Sequence, residues 1–535
     1  MNLKINIALI CTLITITSCT KNEQITATPQ PQSDEILQQS ENFNSFIEWC
    51  QQKSTLSKTS QRTVEVLLEK VNTQDCSEAN QKLSKLTELD ISSSKITNLK
   101  PLAEFTNLNK ILLRNNDIRD LKPLANLTNL TFIGLGDNKI IDIEPLSNLT
   151  NLTGLDLGNF GLGNNKIRDL KPLANLTKLN NLNIGDNQIS DIKPLANLTK
   201  LNHLTLNENQ ISDLKPIAGL TNLTDLYLDE NQISDLKPLA GLTKLTRLVL
   251  FGNQISDIKP LENLVNLDSL EFWRNKVTDI RPIANLTNLT SLRISNNQIS
   301  DIRPVENLTN LDWIELYGNQ ISDIKPLANF INLTSINLSK NKINDIKPLA
   351  NFTNLTNLNL SENKISDIQP LANFTNLTNL NLSENKISDI QPLANFTKLT
   401  KLNLNQNEIS DIKPLANLTN LTDLSLENNR ISDVKTLGNL TNLTKLSLQQ
   451  NQISNVKPLS SLTKLTGLHL ESNQISNVKP LSSLSNLTWI NLKNNQISDI
   501  KSLSSLTNVK DLYLMDNKFF FLSKNCPRKD ITCHF

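Results

Sequence analysis

The aromatic side chains that could bind a partner follow a positional rule along this chain. All three tyrosines and three of the four tryptophans fall six, four or two residues before an asparagine that recurs in a 22-residue unit. Chance would scatter these rings, because the three positions are a small share of each unit. Large rings with a polar atom are favoured in protein interfaces and sugar sites, so the pattern predicts a binding surface. The rings are Tyr227, Tyr317, Tyr513, Trp273, Trp313 and Trp489.

The rings fall into two groups, each mixed with charged side chains. The central patch extends over about 20 Å at the usual strand spacing, and its mixture of rings and arginines favours a protein ligand. Two alternatives stay open: the same rings could hold carbohydrate, or they could stack across strands and only stiffen a sheet. The central patch is Tyr227, Asp229, Arg247, Phe251, Glu271, Trp273, Arg293, Trp313, Glu315 and Tyr317. The C-terminal patch is His469, Glu471, Trp489, Lys493, Tyr513 and Met515.

The surface changes character on either side of the central patch. Ahead of it we expect an acidic stretch on the same face, which would steer a partner with a basic flank. After it, residues 351–372 and 373–394 are identical copies with only Asn and Ser at the three positions, which is typical of a spacer. A structural spacer of the cell envelope with no specific ligand is a further alternative for the whole chain. The acidic residues are Asp137, Asp156, Asp186, Glu208 and Asp225.

The residue pattern does not indicate a catalytic site or a metal site. The two histidines within the repeats, His203 and His469, are twelve units apart. That separation is about 58 Å at the strand spacing, so they cannot share an active site. No nucleophile elbow, phosphate loop or His-Glu-x-x-His segment occurs. An Asp four residues after the recurring Asn, such as Asp235, has no second carboxylate at a fixed spacing, and we expect it to close a turn rather than bind calcium.

The charge balance excludes nucleic acid as a partner. The chain has 53 basic and 52 acidic residues, so it lacks the positive field that nucleic-acid binding needs. Together, the residue patterns and the charge balance predict a chain with no enzyme activity and no cofactor. Its expected partner is a protein or a carbohydrate.

The 22-residue unit, of which we count twenty, must position these side chains. Its Leu-x-x-Leu-x-Leu segment alternates apolar and polar residues, which predicts a short strand with one buried face, and the stacked strands form a parallel sheet. The Asn that follows, such as Asn231, can both donate and accept, and we expect it to satisfy backbone groups of adjacent turns. A Pro seven residues later, such as Pro238, predicts an extended or 3₁₀ return segment. The one break in phase is a Gly-rich insertion, Asn159–Gly163.

The pattern resembles the leucine-rich repeat, and its short form with Pro resembles the bacterial internalins, over roughly residues 81–522. The predicted fold class is an α/β solenoid: a leucine-rich repeat arc with a parallel β-sheet on the concave face and 3₁₀ or extended segments on the convex side. The resemblance implies a ligand-binding arc on a bacterial surface. In such an arc the three ring-bearing positions line the concave face.

The N-terminus predicts export and a lipid anchor. Residues 1–18 have an early Lys4 and an apolar run too short to span a bilayer, which is typical of a signal peptide. The residues Ile-Thr-Ser before Cys19 resemble a bacterial lipobox, which implies cleavage before Cys19 and lipid on that residue; an ordinary secretory signal is the alternative. Residues 19–36 are polar and Pro-bearing, as in a flexible tether. The expected location is the bacterial cell envelope.

Four further cysteines are expected to stabilise the two ends of the repeat array. Their grouping as two local pairs suits disulfides in an oxidising compartment; zinc is the alternative, but no Cys-x-x-Cys spacing occurs. Residues 37–80 predict a helical N-terminal cap of two helices, and residues 523–535 predict a C-terminal cap loop, because a repeat stack exposes its core at both ends. The pairs are Cys50 with Cys76 and Cys526 with Cys533.

Overall fold

The computed structural model describes residues 41, 43–159, 161, 165–519 and 525–535. The chain divides into two units, Met1–Asn44 and Ser45–Phe535, and every helix and strand given below belongs to the second. The predicted signal peptide, Cys19 and the tether lie outside the described residues. So do Phe160, Leu162 and Gly163 of the predicted insertion.

Three α-helices precede the first strand, where the sequence predicted two. They are α1 (Phe46–Gln51), α2 (Lys58–Lys70) and α3 (Cys76–Leu83). Helix α3 begins after Asp75, whose carboxylate accepts the Glu78 N–H at 2.8 Å. This Asp-x-x-Glu start signal was present in the sequence and was missed. The predicted Cys50–Cys76 disulfide is present and joins α1 to α3, with 5.6 Å between its Cα atoms.

A parallel sheet of 21 strands runs through the described residues, each strand paired with the next along the chain. A 3₁₀ helix follows each of β1 to β19, from Lys100–Leu102 to Lys501–Ser505, and most have Pro in their first turn. The predicted solenoid with a helical N-terminal cap is thus confirmed. The strands are β1 (Glu88–Asp90), β2 (Lys110–Leu112), β3 (Phe132–Gly134), β4 (Gly154–Asp156), β5 (Asn181–Asn183), β6 (His203–Thr205), β7 (Asp225–Tyr227), β8 (Arg247–Val249), β9 (Ser269–Glu271), β10 (Ser291–Arg293), β11 (Trp313–Glu315), β12 (Ser335–Asn337), β13 (Asn357–Asn359), β14 (Asn379–Asn381), β15 (Lys401–Asn403), β16 (Asp423–Ser425), β17 (Lys445–Ser447), β18 (Gly467–His469), β19 (Trp489–Asn491), β20 (Asp511–Tyr513) and β21 (Thr532–His534).

The C-terminal segment, predicted as a cap loop, adds a strand to the sheet. Strand β21 pairs in parallel with β20, and Cys533 within it forms the predicted disulfide with Cys526. Arg528 supports this segment, because its guanidinium donates to the backbone oxygens of Leu506 at 2.6 Å and Thr507 at 3.3 Å. The last repeat therefore does not end in an unpaired strand edge.

The recurring Asn connects each repeat to its neighbours through the buried interior. At Asn429, the amide oxygen accepts the Ile409 N–H at 3.0 Å, and the amide nitrogen donates to the backbone oxygens of Leu404 at 2.9 Å and Leu426 at 3.2 Å. The side chain is buried, and the same bonds recur at Asn231 and at most other repeats. The expected role of this Asn is therefore observed in the hydrogen bonds.

Two further ladders of side-chain hydrogen bonds run along the array and were not predicted. Asn420 donates to the Thr397 backbone oxygen at 2.8 Å, one repeat back, and this bond recurs along the array. Thr246 donates to the Thr224 backbone oxygen at 3.2 Å, again one repeat back. In most repeats an Asp accepts the backbone N–H two residues later, as Asp235 does from Lys237 at 3.0 Å, which is the expected turn-closing role.

Replacing the buried Asn should cost far more than replacing the exposed one in the same repeat. Asn429→Ala leaves several buried backbone groups without partners and is expected to lower the free energy of unfolding by about 3 kcal/mol. Asn420→Ala removes one exposed hydrogen bond and should cost about 1 kcal/mol or less. Urea unfolding of both variants measures the difference, and equal losses would show that the buried ladder is not what holds the repeats together.

Candidate functional site

The strand register aligns the concave-face residues in three columns. The first column holds the first residue of each strand, the second holds its last residue, and the third lies two residues further along. Across β7 and β8, for example, Asp225 pairs with Arg247 and Tyr227 with Val249. The backbone ladder continues into the third column, since the Gly252 N–H donates to the Trp273 backbone oxygen at 3.0 Å. Residues 22 apart therefore lie side by side on one surface.

Two rings of the central patch stack in the third column. The rings of Phe251 and Trp273 are 4.1 Å apart between centroids and are tilted by only 11°. The guanidinium of Arg274 lies 5.7 Å from the centre of the Trp273 ring. The Trp273 indole nitrogen is buried and has no hydrogen-bond partner among the described residues. These rings stack in part on each other, as the stiffening alternative supposed.

Trp313 lies differently, because its ring stands free of any stack among the described residues. Its side chain begins strand β11 and is 48% exposed, one of the few large apolar side chains in the described residues left so open. The indole nitrogen donates to Glu315 at 3.2 Å, which holds the ring against the strand. The ring face remains available to a partner.

The charge of Arg293 is neutralised within the protein, so this arginine is not free to pair with a partner. Its guanidinium lies 3.3 Å from Glu271 and 3.2 Å from Glu315, one on each neighbouring strand of the second column. This ion triad covers the middle of the central patch with an excess of one negative charge. Arg247 contacts the Tyr227 hydroxyl at 3.4 Å and is exposed, so it is the arginine of this patch best placed to reach a partner.

Asp229 is the most strongly perturbed acid of the central patch. Its side chain is buried in the third column. Burial, together with the nearby carboxylates of Glu208, Glu230 and Glu271, raises the pKa of Asp229 to about 7. The patch therefore gains negative charge as the pH rises through neutrality.

The C-terminal patch is a continuous ladder of rings. His469 lies 4.0 Å from Trp489, Trp489 lies 6.0 Å from Tyr513, and Tyr513 stacks on His534 at 4.6 Å. Burial lowers the pKa of His469, which favours the neutral ring at neutral pH. His534 was missed by the sequence reasoning, because the tail carries no repeat that would place it on the sheet. Gly467 in the first column leaves open space beside these rings.

The acidic stretch ahead of the central patch is only partly on the concave columns. Asp137, Asp186 and Glu208 were expected on this face, but they lie one residue before the recurring Asn, in a left-handed turn with φ of 50–55°, and so outside the three columns. Asp156 and Asp225 do lie on strands.

A cavity that the sequence did not indicate lies around Asp156 on the concave face. Asp156 is buried and forms an ion pair with Arg114, and Asn183 donates to it at 2.8 Å. Burial raises the pKa of Asp156. A cavity of about 350 Å³ is lined by Arg114, Phe132, Asp156, Asn181, Asn183, His203, Thr205 and Tyr227.

Comparison with known families identifies the class of protein. The family model described as Leucine Rich repeats (2 copies) matches more than half of the chain, and the chain belongs to the leucine-rich repeat family. No helix in the described part of the chain has the length and apolar character to cross a membrane. The matched residues are 128–175, 160–197, 199–241, 221–264, 243–285, 265–308, 309–351, 353–395, 397–439 and 441–483.

Solved structures refine the class to the internalin type. An internalin (InlF) from Listeria monocytogenes is similar at 41% identity, covering 53% of this chain and 85% of that one, with a TM-score of 0.51. The leucine-rich repeat protein LIC12759 of Leptospira interrogans is similar at 25% identity over 78% of this chain and 99% of that one, with a TM-score of 0.50. The plant peptide hormone receptor RGFR1, solved with RGF2, shares the fold at 21% identity, covering 84% and 89% of the two chains, with a TM-score of 0.65. The comparison with curated proteins found no match.

The raised pKa of Asp229 predicts a stability difference that depends on pH. Between about pH 4 and pH 7 the folded chain holds a proton that the unfolded chain releases, so the Asp229 contribution to stability falls as the pH rises. Asp229→Asn removes this contribution. Near pH 4 the variant and the wild type should have the same free energy of unfolding. Above pH 7 the free energy of unfolding of the variant should be higher by up to about 4 kcal/mol. Urea unfolding at several pH values measures the difference, and a constant difference across this range would contradict the assignment.

Proposed function

We propose that this chain is a secreted, lipid-anchored leucine-rich repeat protein that binds a protein ligand through the central patch. The leucine-rich repeat scaffold is typical of protein recognition. The observation that carries the proposal is the Trp313 ring, 48% exposed in the middle of the concave sheet. The core is filled by Leu and Ile, so this ring has no packing role in the fold. Exposed tryptophans on rigid surfaces are the residues that most often dominate protein interfaces.

The surroundings of Trp313 favour a protein over a sugar. The stacked pair of Phe251 and Trp273 lies two strands away, and the ion triad around Arg293 lies between them. Protein interfaces are enriched in aromatic residues and Arg, and the central patch holds both. Exposed Arg247 and the titrating Asp229 add charges at one end of the patch. No catalytic or cofactor-binding role is proposed.

Carbohydrate binding is the second candidate, and the C-terminal patch favours it. The open space beside Gly467 adjoins a cavity of about 340 Å³, whose lining includes His469, Trp489, Lys445 and Asp423. A ring of Trp489 next to polar hydrogen-bonding groups is a common arrangement for holding a sugar ring. An envelope spacer without a ligand is the remaining alternative.

Removing the exposed ring should weaken the capture of a protein ligand. The full chain and its Trp273→Ala/Trp313→Ala variant are immobilised, exposed to envelope extracts, and compared by quantitative mass spectrometry. We expect a specific protein whose retention falls by about tenfold or more in the variant, with unchanged circular dichroism. Ile331→Thr, which removes a similarly exposed apolar side chain elsewhere, is the matched control and should retain the ligand. Equal retention by the paired variant would exclude the central patch, and no retained ligand at all would support the spacer.

The anchor is tested separately from the ligand. Cells that express the full chain are labelled with a radioactive fatty acid, and we expect label in the wild type and none in Cys19→Ser. The substitution removes the thiol to which lipid is joined and changes little else. No label in the wild type would favour an ordinary secretory signal, and label that persists in Cys19→Ser would place the lipid on another residue.

A further inference from the structure

Four half-buried asparagines form a straight column on the concave sheet, in the stretch that the sequence marked as a spacer. They end the neighbouring strands β12 to β15, and the register places each one directly beside the next. Their spacing therefore follows the strand spacing of about 4.8 Å. We call them the amide column: Asn337, Asn359, Asn381 and Asn403.

The orientation of each amide in this column is determined by the backbone. The Asn359 oxygen accepts the Ser361 N–H at 3.1 Å and the Ser361 hydroxyl at 2.8 Å. The Asn381 oxygen accepts the same two bonds from Ser383, at 3.1 and 2.9 Å. Asn337 and Asn403 accept N–H groups in the same way. Because an N–H must meet an oxygen, the amide cannot be flipped without losing these bonds.

The amide nitrogens are consequently left for a ligand. None of the four side-chain nitrogens has a hydrogen-bond partner among the described residues, and none is a buried atom. Beside the column, the Asn379 nitrogen donates to the Asn357 oxygen at 2.5 Å, and the Asn379 oxygen takes no hydrogen bond within the described part of the chain. The surface thus offers a row of donors with an acceptor next to it.

The amide column lines a cavity on the concave sheet. Its volume is about 480 Å³, and the four asparagines line it together with Leu358, Leu380 and the flanking strand residues. The lining comes from the first two columns of the sheet, where β12 to β14 hold only Asn and Ser. In the central patch those two columns hold larger side chains, such as Tyr227 and Trp313.

The cavity is neutral, which limits the class of ligand. Every concave residue of β12 to β14 in the three columns is Asn or Ser, and the nearest charge on the first column, Lys401, lies directly beside Asp423. An anionic ligand would lose its hydration without meeting a net positive charge, because the lining holds one lysine and one aspartate. An extended peptide alternates C=O and N–H groups along its edge, so its C=O groups could accept from the row but each N–H between them would face another donor. Hydroxyl and ring oxygens of a neutral sugar can accept from the row, and a hydroxyl can also donate to the Asn379 oxygen.

We propose that the amide column is a binding site for a neutral polysaccharide, with successive sugar units hydrogen-bonded to successive strands. This site is separate from the central patch and does not depend on a protein ligand binding there. A chain that crosses the strands would meet one amide donor at each step. The affinity should therefore rise with oligosaccharide length until the four donors are used, and then level off.

The test uses the full chain on an array of neutral and acidic glycans, followed by calorimetric titration of the best neutral series at increasing length. The decisive variant is Asn359→Asp/Asn381→Asp, which keeps the oxygens that accept from Ser361 and Ser383 but replaces two donors with acceptors. We expect the affinity for the neutral glycan to fall by about tenfold or more, with an unchanged thermal melt. Ser366→Asp/Ser388→Asp, which adds two charges at exposed positions of the same two repeats but outside the three columns, is the matched control and should bind as the wild type.

Several results would overturn this proposal. Failure of the wild type to retain any neutral glycan would do so, as would wild-type affinity in the paired Asp variant. Retention of unstructured peptides with the same dependence on Asn359 and Asn381 would assign the column to a protein segment instead. Loss of glycan binding in Trp273→Ala/Trp313→Ala, but not in the Asp variant, would move the sugar site to the central patch. Loss of protein capture in that tryptophan variant with intact glycan binding supports two separate sites.

Discussion

The rest of the structure depends on the buried Asn that joins one repeat to the next. Each turn of the coil leaves backbone N–H and C=O groups inside the solenoid, where an unpaired group costs about 1–3 kcal/mol. One amide satisfies several of these groups at once, as Asn429 does with Ile409, Leu404 and Leu426. Because the bonds reach back into the preceding repeat, each repeat is completed only by its neighbour. The same requirement fixes the strand register, which aligns residues 22 apart along the concave face.

Because the buried positions build the fold, the outward positions of the sheet are free to vary. Three kinds of surface result on one scaffold. The central patch has an exposed Trp313 beside an ion triad, the amide column has half-buried asparagines that line a neutral cavity, and the C-terminal patch has a ladder of rings that ends at His534. The differences arise from side-chain size and charge alone, since the backbone repeats. Short Asn and Ser side chains line the cavity at the amide column, whereas the central patch holds larger rings.

The repeat made most of the fold predictable, because the Leu, Asn and Pro positions each have one physical role. What could not be predicted lies where the repeat ends or where side chains interact with each other. Strand β21 and His534 come from a tail without the pattern, and α3 depended on a short Asp75 start signal. Arg293 was predicted to contact a partner as part of the central patch, but the register puts it between two glutamates. The Asn and Ser stretch was interpreted as a spacer, since the direction in which an amide points follows from hydrogen bonds that composition does not reveal.

The central claim is that the buried positions build the scaffold and the variable concave positions bind. Hydroxyl-radical footprinting of the full chain, with and without the protein captured from envelope extracts, tests it most directly. The account predicts that oxidation of Trp313, Tyr317 and Phe251 falls when the ligand is bound, while Ile331, which lies outside the strands, reacts as before. Unchanged reactivity of Trp313 together with protection of Ile331 would contradict it, because binding would then use a surface outside the concave strands.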